Sequence, residues 1–162
     1  MPAELPRGSE TILLVEDEPA VRTLARTVLA GRGYRVLEAA GGSDALAIAE
    51  LSGDPIHLLI TDVVMPRMSG SELAQRLAAE RPEMRVFYLS GYSEHTFGHR
   101  GKLPGSVFLR KPFTPDRLLH KVREVLDRGP VHRERIHDKP VMPAEGIGGP
   151  GRETERFNGR AR

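Results

Sequence analysis

Ile12-Leu13-Leu14-Val15 is an uninterrupted run of four apolar residues, and it decides how the rest of the chain is interpreted. Three runs of the same kind follow at Leu58-Leu59-Ile60, Val86-Phe87-Tyr88-Leu89 and Val107-Phe108-Leu109. Strands that are covered on both faces of a parallel sheet are continuously apolar, whereas half-exposed strands alternate. The four runs therefore predict buried parallel strands, and the weaker Tyr34-Arg35-Val36-Leu37 predicts an edge strand.

Helical patterns with a spacing of 3.6 residues lie between these runs. The apolar stripes are Val21, Leu24, Ala25, Val28 and Leu29; Ala45, Leu46, Ile48 and Ala49; Leu73, Ala74, Leu77 and Ala78; and Leu118, Leu119, Val122, Val125 and Leu126. Strands that alternate with helices are joined by right-handed crossovers, which place the helices on both faces of the sheet. The sequence thus predicts an α/β fold with a doubly wound, five-stranded parallel sheet.

Helix boundaries are marked by capping residues. Ser69-Gly70-Ser71-Glu72 fits a capping box, and Thr114-Pro115 fits an N-cap followed by proline at the first helical position. Gly31 and Gly129 stand where helices are expected to end. A further short helix is predicted over residues 93–100, between the fourth and fifth strands.

Charge and composition exclude several classes of protein. The chain has 162 residues and a net charge of +2, and residues 129–162 hold 7 of its 24 Lys and Arg and 5 of its 22 Asp and Glu. The rest of the chain is therefore neutral, with 17 residues of each sign, and it lacks the basic surface of a nucleic-acid-binding domain. We expect no direct DNA binding.

The same composition bears on location and domain organisation. No apolar run is long enough to span a membrane, the first residues do not resemble a signal peptide, and cysteine is absent. We therefore expect a cytoplasmic protein without membrane contact. Three segments are predicted: an N-terminal extension at 1–9, a folded domain at 10–128 and a disordered, glycine- and proline-rich tail at 129–162.

The residues that follow the strands are expected to meet at one edge of the sheet. They are Glu16-Asp17-Glu18, Asp62, Ser90 and Lys111. Each has an ordinary structural explanation when taken alone: a solvated helix start, a helix cap, a turn residue and an exposed lysine. Together they predict an acidic cation pocket beside an ammonium group.

In this order, the motifs resemble the receiver domain of two-component response regulators, and in particular the receivers attached to hybrid histidine kinases. The resemblance rests on residues 12–19, 59–70, 89–92 and 109–113, which read ILLVEDEP, LITDVVMPRMSG, LSGY and LRKPF. It covers about residues 10–128. It implies a flavodoxin-like strand order of 2-1-3-4-5, and no kinase domain is present in the sequence.

The resemblance also implies a phosphorelay function. Asp62 would accept a phosphoryl group from the phosphohistidine of a sensor histidine kinase or a histidine phosphotransfer protein. Mg²⁺ would be held by Glu16, Asp17, Asp62 and the backbone carbonyl of Val64. Carboxylates that crowd together repel one another, and a hard cation with oxygen ligands relieves this repulsion. The protein would be a regulatory phosphoacceptor that catalyses only its own phosphorylation and dephosphorylation.

Further roles are implied for residues around Asp62. Lys111 and Ser90 would contact phosphoryl oxygens, and the Lys111-Pro112 peptide bond would be cis. Ser90 and Phe108 would form the conformational switch, although Phe108 also fits plain core packing. The sequence departs from the commoner family pattern in having Glu16-Asp17 instead of two aspartates, and serine instead of threonine at 90.

Two alternative functions remain open at the level of sequence. The domain could be an unphosphorylated interaction scaffold, although such scaffolds commonly lose one of five polar site residues that are all present here, namely Glu16, Asp17, Asp62, Ser90 and Lys111. It could also be a phosphate sink in which the acyl phosphate hydrolyses rapidly. The resemblance points to Val64 and Tyr92 as the side chains that control this hydrolysis. Valine cannot orient a water molecule by hydrogen bonding, whereas tyrosine could either cover the site or hold a water through its hydroxyl, so the two residues need not act in the same direction. Slow hydrolysis and a long-lived signal are expected.

Overall fold

A computed structural model describes residues 4–91 and 107–128. Its elements in chain order are β1 (Thr11–Val15), α1 (Pro19–Ala30), β2 (Arg35–Ala39), α2 (Gly42–Leu51), β3 (Leu58–Asp62), α3 (Gly70–Glu80), β4 (Arg85–Ser90), β5 (Val107–Arg110) and α4 (Pro115–Asp127). The predicted helix at 93–100, the predicted helix end at Gly129, the tail at 129–162 and the side chain of Tyr92 lie outside the described residues.

The five strands form one parallel sheet in the order β2-β1-β3-β4-β5. The predicted doubly wound fold and its strand order are confirmed. Every residue of β1 and β3 is buried, as their continuous apolar runs predict, and β2 lies at the edge with its first residue exposed. Asp62 and Ser90 are the last residues of β3 and β4, whereas they were predicted to follow these strands.

The core has one layer on each face of the sheet. Alternate strand residues point to opposite faces, so Leu14 packs with α1 and α4, while Leu13 packs with α2 and α3. Burial of apolar surface in these two layers is the main source of stability. All five predicted apolar residues of α4 are buried.

The predicted apolar stripe of α1 is wider than the face that the helix buries. Ala25 and Leu29 are fully buried, Val21 and Val28 are half-buried, and Leu24 is 47% exposed. Ala25 and Leu29 are one turn apart, so they define the line along which α1 contacts the sheet. Leu24 is rotated by about 100° from Ala25 and therefore lies at the flank of the helix.

The predicted helix caps are observed. The Ser69 hydroxyl accepts a hydrogen bond from the amide of Glu72 at 3.2 Å, and the Thr114 hydroxyl accepts one from the amide of Arg117 at 3.3 Å. Gly31 follows the last residue of α1. The Lys111-Pro112 peptide bond is cis. Within residues 4–91 and 107–128, every helix is too short or too polar to cross a bilayer.

Candidate functional site

The carboxyl edge of the sheet brings the predicted polar residues together. Glu16 follows β1, Asp62 ends β3, Ser90 ends β4 and Lys111 follows β5. The Lys111 ammonium donates to Glu16 Oε2 at 3.1 Å and to Asp62 Oδ2 at 3.0 Å. Two residues that are distant in sequence from Lys111 thus share its single positive charge.

An open cavity of about 800 Å³ gives access to the Asp62 carboxylate. Asp17, Lys111 and Gly91 form part of its polar wall, and apolar side chains form much of the rest. Val64, two residues after Asp62, lines this cavity and is 53% exposed. Asp62 therefore lies on the wall of a cavity that is open to solvent.

Three carboxylates form the acidic part of the site. One oxygen from each of Glu16, Asp17 and Asp62 lies within 4.8 Å of the other two. Glu16 is fully buried, Asp62 is nearly so and Asp17 is exposed. Oxygen donors in this arrangement are the ligand type that Mg²⁺ prefers.

Burial makes the two buried carboxylates, Glu16 and Asp62, unfavourable as anions. It raises the pKa of Glu16 to about 7, against the opposing hydrogen bonds from the Glu18 amide and Lys111. Burial also raises the pKa of Asp62, although the hydrogen bond from Lys111 opposes it. For Lys111 itself, burial lowers the pKa, but hydrogen bonds to Asp62 and Glu16 outweigh this, so that its pKa is raised. The site holds more negative charge than Lys111 can balance.

Hydrogen bonds to the amide, the side chain and the carbonyl of Glu16 fix the loop between β1 and α1. Its amide donates to the carbonyl of Ala39 at 3.1 Å, and its Oε1 accepts from the amide of Glu18 at 3.1 Å. Its carbonyl accepts from Arg22 Nη1 at 2.7 Å. Arg22 was not predicted to belong to the site. The available signal was a cation in the first turns of a helix, where the helix dipole disfavours positive charge.

Gly70 sets how closely α3 approaches Asp62. A Cβ atom at position 70 would lie 2.1 Å from the Asp62 carbonyl oxygen, a distance that no side chain tolerates. The Gly70 amide also donates to the carbonyl of Val63 at 2.9 Å. The start of α3 therefore packs directly on the backbone that carries the Asp62 carboxylate.

The remaining predicted residues lie at the ends of β4 and β5. The Lys111 amide donates to the carbonyl of Ser90 at 2.8 Å, which links the two residues through the backbone, and Ser90 is buried. Phe108 is half-buried and stacks on Tyr88, with ring centroids 5.4 Å apart. The stack is compatible with either a switch or a packing role for Phe108. Tyr88 was not singled out from the sequence.

The fold and the edge site define a CheY-like, doubly wound α/β protein. A family model described as the response regulator receiver domain matches residues 12–123. The chain belongs to this family and is a receiver domain of two-component signalling.

Relatives support this assignment. The chain is 42% identical over 124 residues to the sensor kinase CckA of Brucella abortus, covering 75% of this chain but only 13% of the kinase. It is 32% identical to the response regulator receiver protein CpdR of the same organism, covering 71% of this chain and 95% of that protein. The chain therefore matches a segment of a long kinase and nearly the whole of a short receiver.

Solved structures agree with the family. The crystal structure of the receiver domain from the hybrid histidine kinase CckA has 40% identity and a TM-score of 0.61, covering 72% of this chain and 98% of that domain. The response regulator TrrA of Thermotoga maritima has 30% identity and a TM-score of 0.62, over 72% of this chain and 98% of TrrA. That structure is a complex with Mg²⁺-BeF.

Proposed function

We propose that this receiver accepts a phosphoryl group on Asp62 from the phosphohistidine of a sensor histidine kinase or a histidine phosphotransfer protein. The observation that carries the proposal is the Asp62 carboxylate, which opens into a cavity of about 800 Å³ and lies 3.0 Å from an ammonium group. The phosphorylated domain then changes its contacts with other proteins.

The transfer step uses the carboxylate as a nucleophile. An oxygen of Asp62 forms the new P–O bond while the P–N bond of the donor breaks. The imidazole of the donor leaves with the electron pair of that bond and takes up a proton, and the product is an acyl phosphate. In-line transfer of this kind depends mainly on positioning and on neutralising charge.

The acidic residues fit a magnesium ion. Asp17, Asp62 and Glu16 offer only oxygen atoms, and two of these carboxylates are buried with raised pKa values, so a divalent cation supplies charge that the site lacks. The backbone carbonyl of Val64 is proposed as a further ligand. When bound, Mg²⁺ would neutralise charge on the phosphoryl oxygens.

Lys111 and Ser90 complete the proposed site. Lys111 can exchange its contact with Asp62 for one with a phosphoryl oxygen while it keeps its contact with Glu16. Ser90 is joined to Lys111 by a backbone hydrogen bond, so the two residues are placed together. We propose that Ser90 and Phe108 pass the change at Asp62 to the surface.

A long-lived phosphorylated state is favoured over a phosphate sink. Val64 is 53% exposed beside Asp62 and offers only methyl groups to the water that would attack the acyl phosphate. The scaffold alternative is not favoured, because all five polar residues of the site are present and lie together. Lys111 contacts Glu16 and Asp62, Asp17 lies beside these two carboxylates, and Ser90 is bonded to the Lys111 backbone.

The direct test is phosphorylation of the whole chain by a small donor. The protein is incubated with acetyl phosphate, with Mg²⁺ or with a chelator, and its intact mass is measured. We expect one phosphoryl group with Mg²⁺ and none with the chelator. Asp62→Asn, which changes the shape little but removes the nucleophile, should gain none. Uptake by Asp62→Asn at the wild-type rate would overturn the proposal.

A further inference from the structure

We propose that Arg22 is a positioning residue for the cation site, and that its side chain acts by fixing the Glu16 carbonyl, directly before Asp17. This inference rests on the proposed function, because it requires Mg²⁺ to bind at Asp17. Arg22 is not among the described residues that line the cavity above Asp62. It therefore has to act through the loop that carries the carboxylate.

Arg22 binds both neighbours of Asp17. Its Nη1 donates to the carbonyl of Glu16 at 2.7 Å, and its backbone amide donates to the carbonyl of Glu18 at 3.0 Å. The second bond belongs to the first turn of α1, whereas the first requires the side chain to fold back across the start of the helix. The arginine side chain thus holds the residue before Asp17, while a helical backbone bond that any non-proline residue at position 22 would make holds the residue after it.

The position of Arg22 is unfavourable for the helix itself. It is the fourth residue of α1, near the positive end of the helix dipole, where a cation costs stability. Its side chain also lines a separate cavity of about 470 Å³ with Glu38 and Asp44. The short, charge-assisted bond to the Glu16 carbonyl compensates for this location.

The exposed carboxylate of Asp17 is the member of the site that needs this support. Glu16 is held through both side-chain oxygens, by Glu18 and by Lys111. For Asp17, the described residues provide no side-chain hydrogen bond, so its placement depends on the backbone on either side of it. When a group that orients a metal ligand without touching the metal is removed, the metal affinity commonly falls by about 10-fold or more.

The direction in which the Mg²⁺ affinity changes when Arg22 is removed distinguishes a positioning role from a purely electrostatic one. Removing a cation near a divalent ion strengthens binding of that ion, because one repulsive interaction is lost. Removing a residue that positions a metal ligand weakens binding. The two roles of Arg22 therefore predict opposite changes in Mg²⁺ affinity.

The experiment is a calorimetric titration of the full chain with Mg²⁺. We expect Arg22→Ala to raise the Kd about 10-fold, and Arg22→Lys, which keeps a charged donor, to recover most of this loss. Arg26→Ala is the matched control. Arg26 lies one turn further along α1 and pairs with Glu38 at 3.4 Å, so its removal deletes the same charge without touching Glu16 or Glu18. Its Kd should be unchanged or lower.

Thermal unfolding shows whether each variant is folded. If Arg22→Ala does not fold, Arg22→Gln, which also removes the charge and shortens the side chain, should show the same loss. Wild-type or tighter binding by folded Arg22→Ala or Arg22→Gln would overturn the inference. The proposed function would still stand if the wild type were phosphorylated at Asp62. A wild-type chain that binds no Mg²⁺ would overturn both proposals.

Discussion

One glutamate directly precedes β1 and another directly follows it, and the two lie in opposite electrostatic environments. Glu10 precedes the strand, and its oxygens accept from the Arg123 guanidinium at 2.7 and 3.0 Å. These hydrogen bonds lower the pKa of Glu10 to about 2. Glu16 follows the strand, and burial raises its pKa to about 7 although Lys111 contacts it. The fold favours the anion at one end of β1 and disfavours it at the other.

The two ends of β1 differ in how many hydrogen-bond donors are available to their carboxylates. Arg123 also donates to Asp127 at 2.8 Å and to the Tyr34 hydroxyl at 3.2 Å, so one guanidinium satisfies the whole amino-end cluster. At the carboxyl end, one ammonium faces two buried carboxylates and a third nearby. Clusters that lack compensating charge are typical of functional sites. We therefore expect the amino end to determine stability and the carboxyl end to determine chemistry.

The largest expected effect is at the carboxyl end. Under the proposed function, Lys111→Ala removes the ammonium that would contact the phosphoryl oxygens and should slow phosphorylation by acetyl phosphate about 100-fold. The circular dichroism spectrum should be unchanged, because the lysine is not part of the apolar core. Normal phosphorylation together with a large loss of stability would mean that Lys111 has a structural role only.

The counterpart at the amino end is Arg123→Ala. It should lower the free energy of unfolding by about 2 kcal/mol, because two charge-assisted hydrogen bonds to the partly buried Glu10 carboxylate are lost. Phosphorylation should keep its wild-type rate. Urea denaturation measures the stability, and Arg117→Ala, an exposed arginine on the same helix, serves as the control. If Arg117→Ala cost as much as Arg123→Ala, the amino-end cluster would not be a special source of stability.

Acid should remove the contribution of Glu10. Its folded pKa of about 2 lies below the ordinary value of 4.5, so its stabilisation is complete above about pH 4.5 and is lost as the pH falls towards 2. Glu10→Gln should therefore be less stable than the wild type near neutral pH, by about 1 kcal/mol. The difference should vanish near the folded pKa. A stability difference that stays constant across this range would contradict the assignment.

The smallest effect concerns the lifetime of the acyl phosphate. Val64→Asn provides a hydrogen-bonding side chain beside Asp62, which can orient the attacking water. We expect phosphate to be lost severalfold faster, as followed by intact mass after the donor is removed. A wild-type acyl phosphate that decays within seconds, or a variant that decays no faster, would favour the phosphate sink.

Most of the fold and the main site could be predicted because both depend on local patterns. The run at Ile12–Val15 identifies a buried strand, and the fact that parallel strands end at one edge brings Asp62 and Lys111 together. Contacts set by tertiary packing could not be predicted. Glu10 and Arg123 are 113 residues apart, and the bond from Arg22 to Glu16 depends on how a side chain folds back over its helix. The exposure of Leu24 depends on which side of α1 faces the sheet.

The close packing of Gly70 on Asp62 has a practical use. Because no side chain separates the Gly70 backbone from the Asp62 carbonyl, a displacement of the Asp62 main chain should also move the first turn of α3. The chain contains no cysteine, so one introduced at an exposed position of that helix, such as Gln75→Cys, would be the single site for thiol labelling. An environment-sensitive fluorophore attached there would convert the receiver into an optical reporter of changes at Asp62.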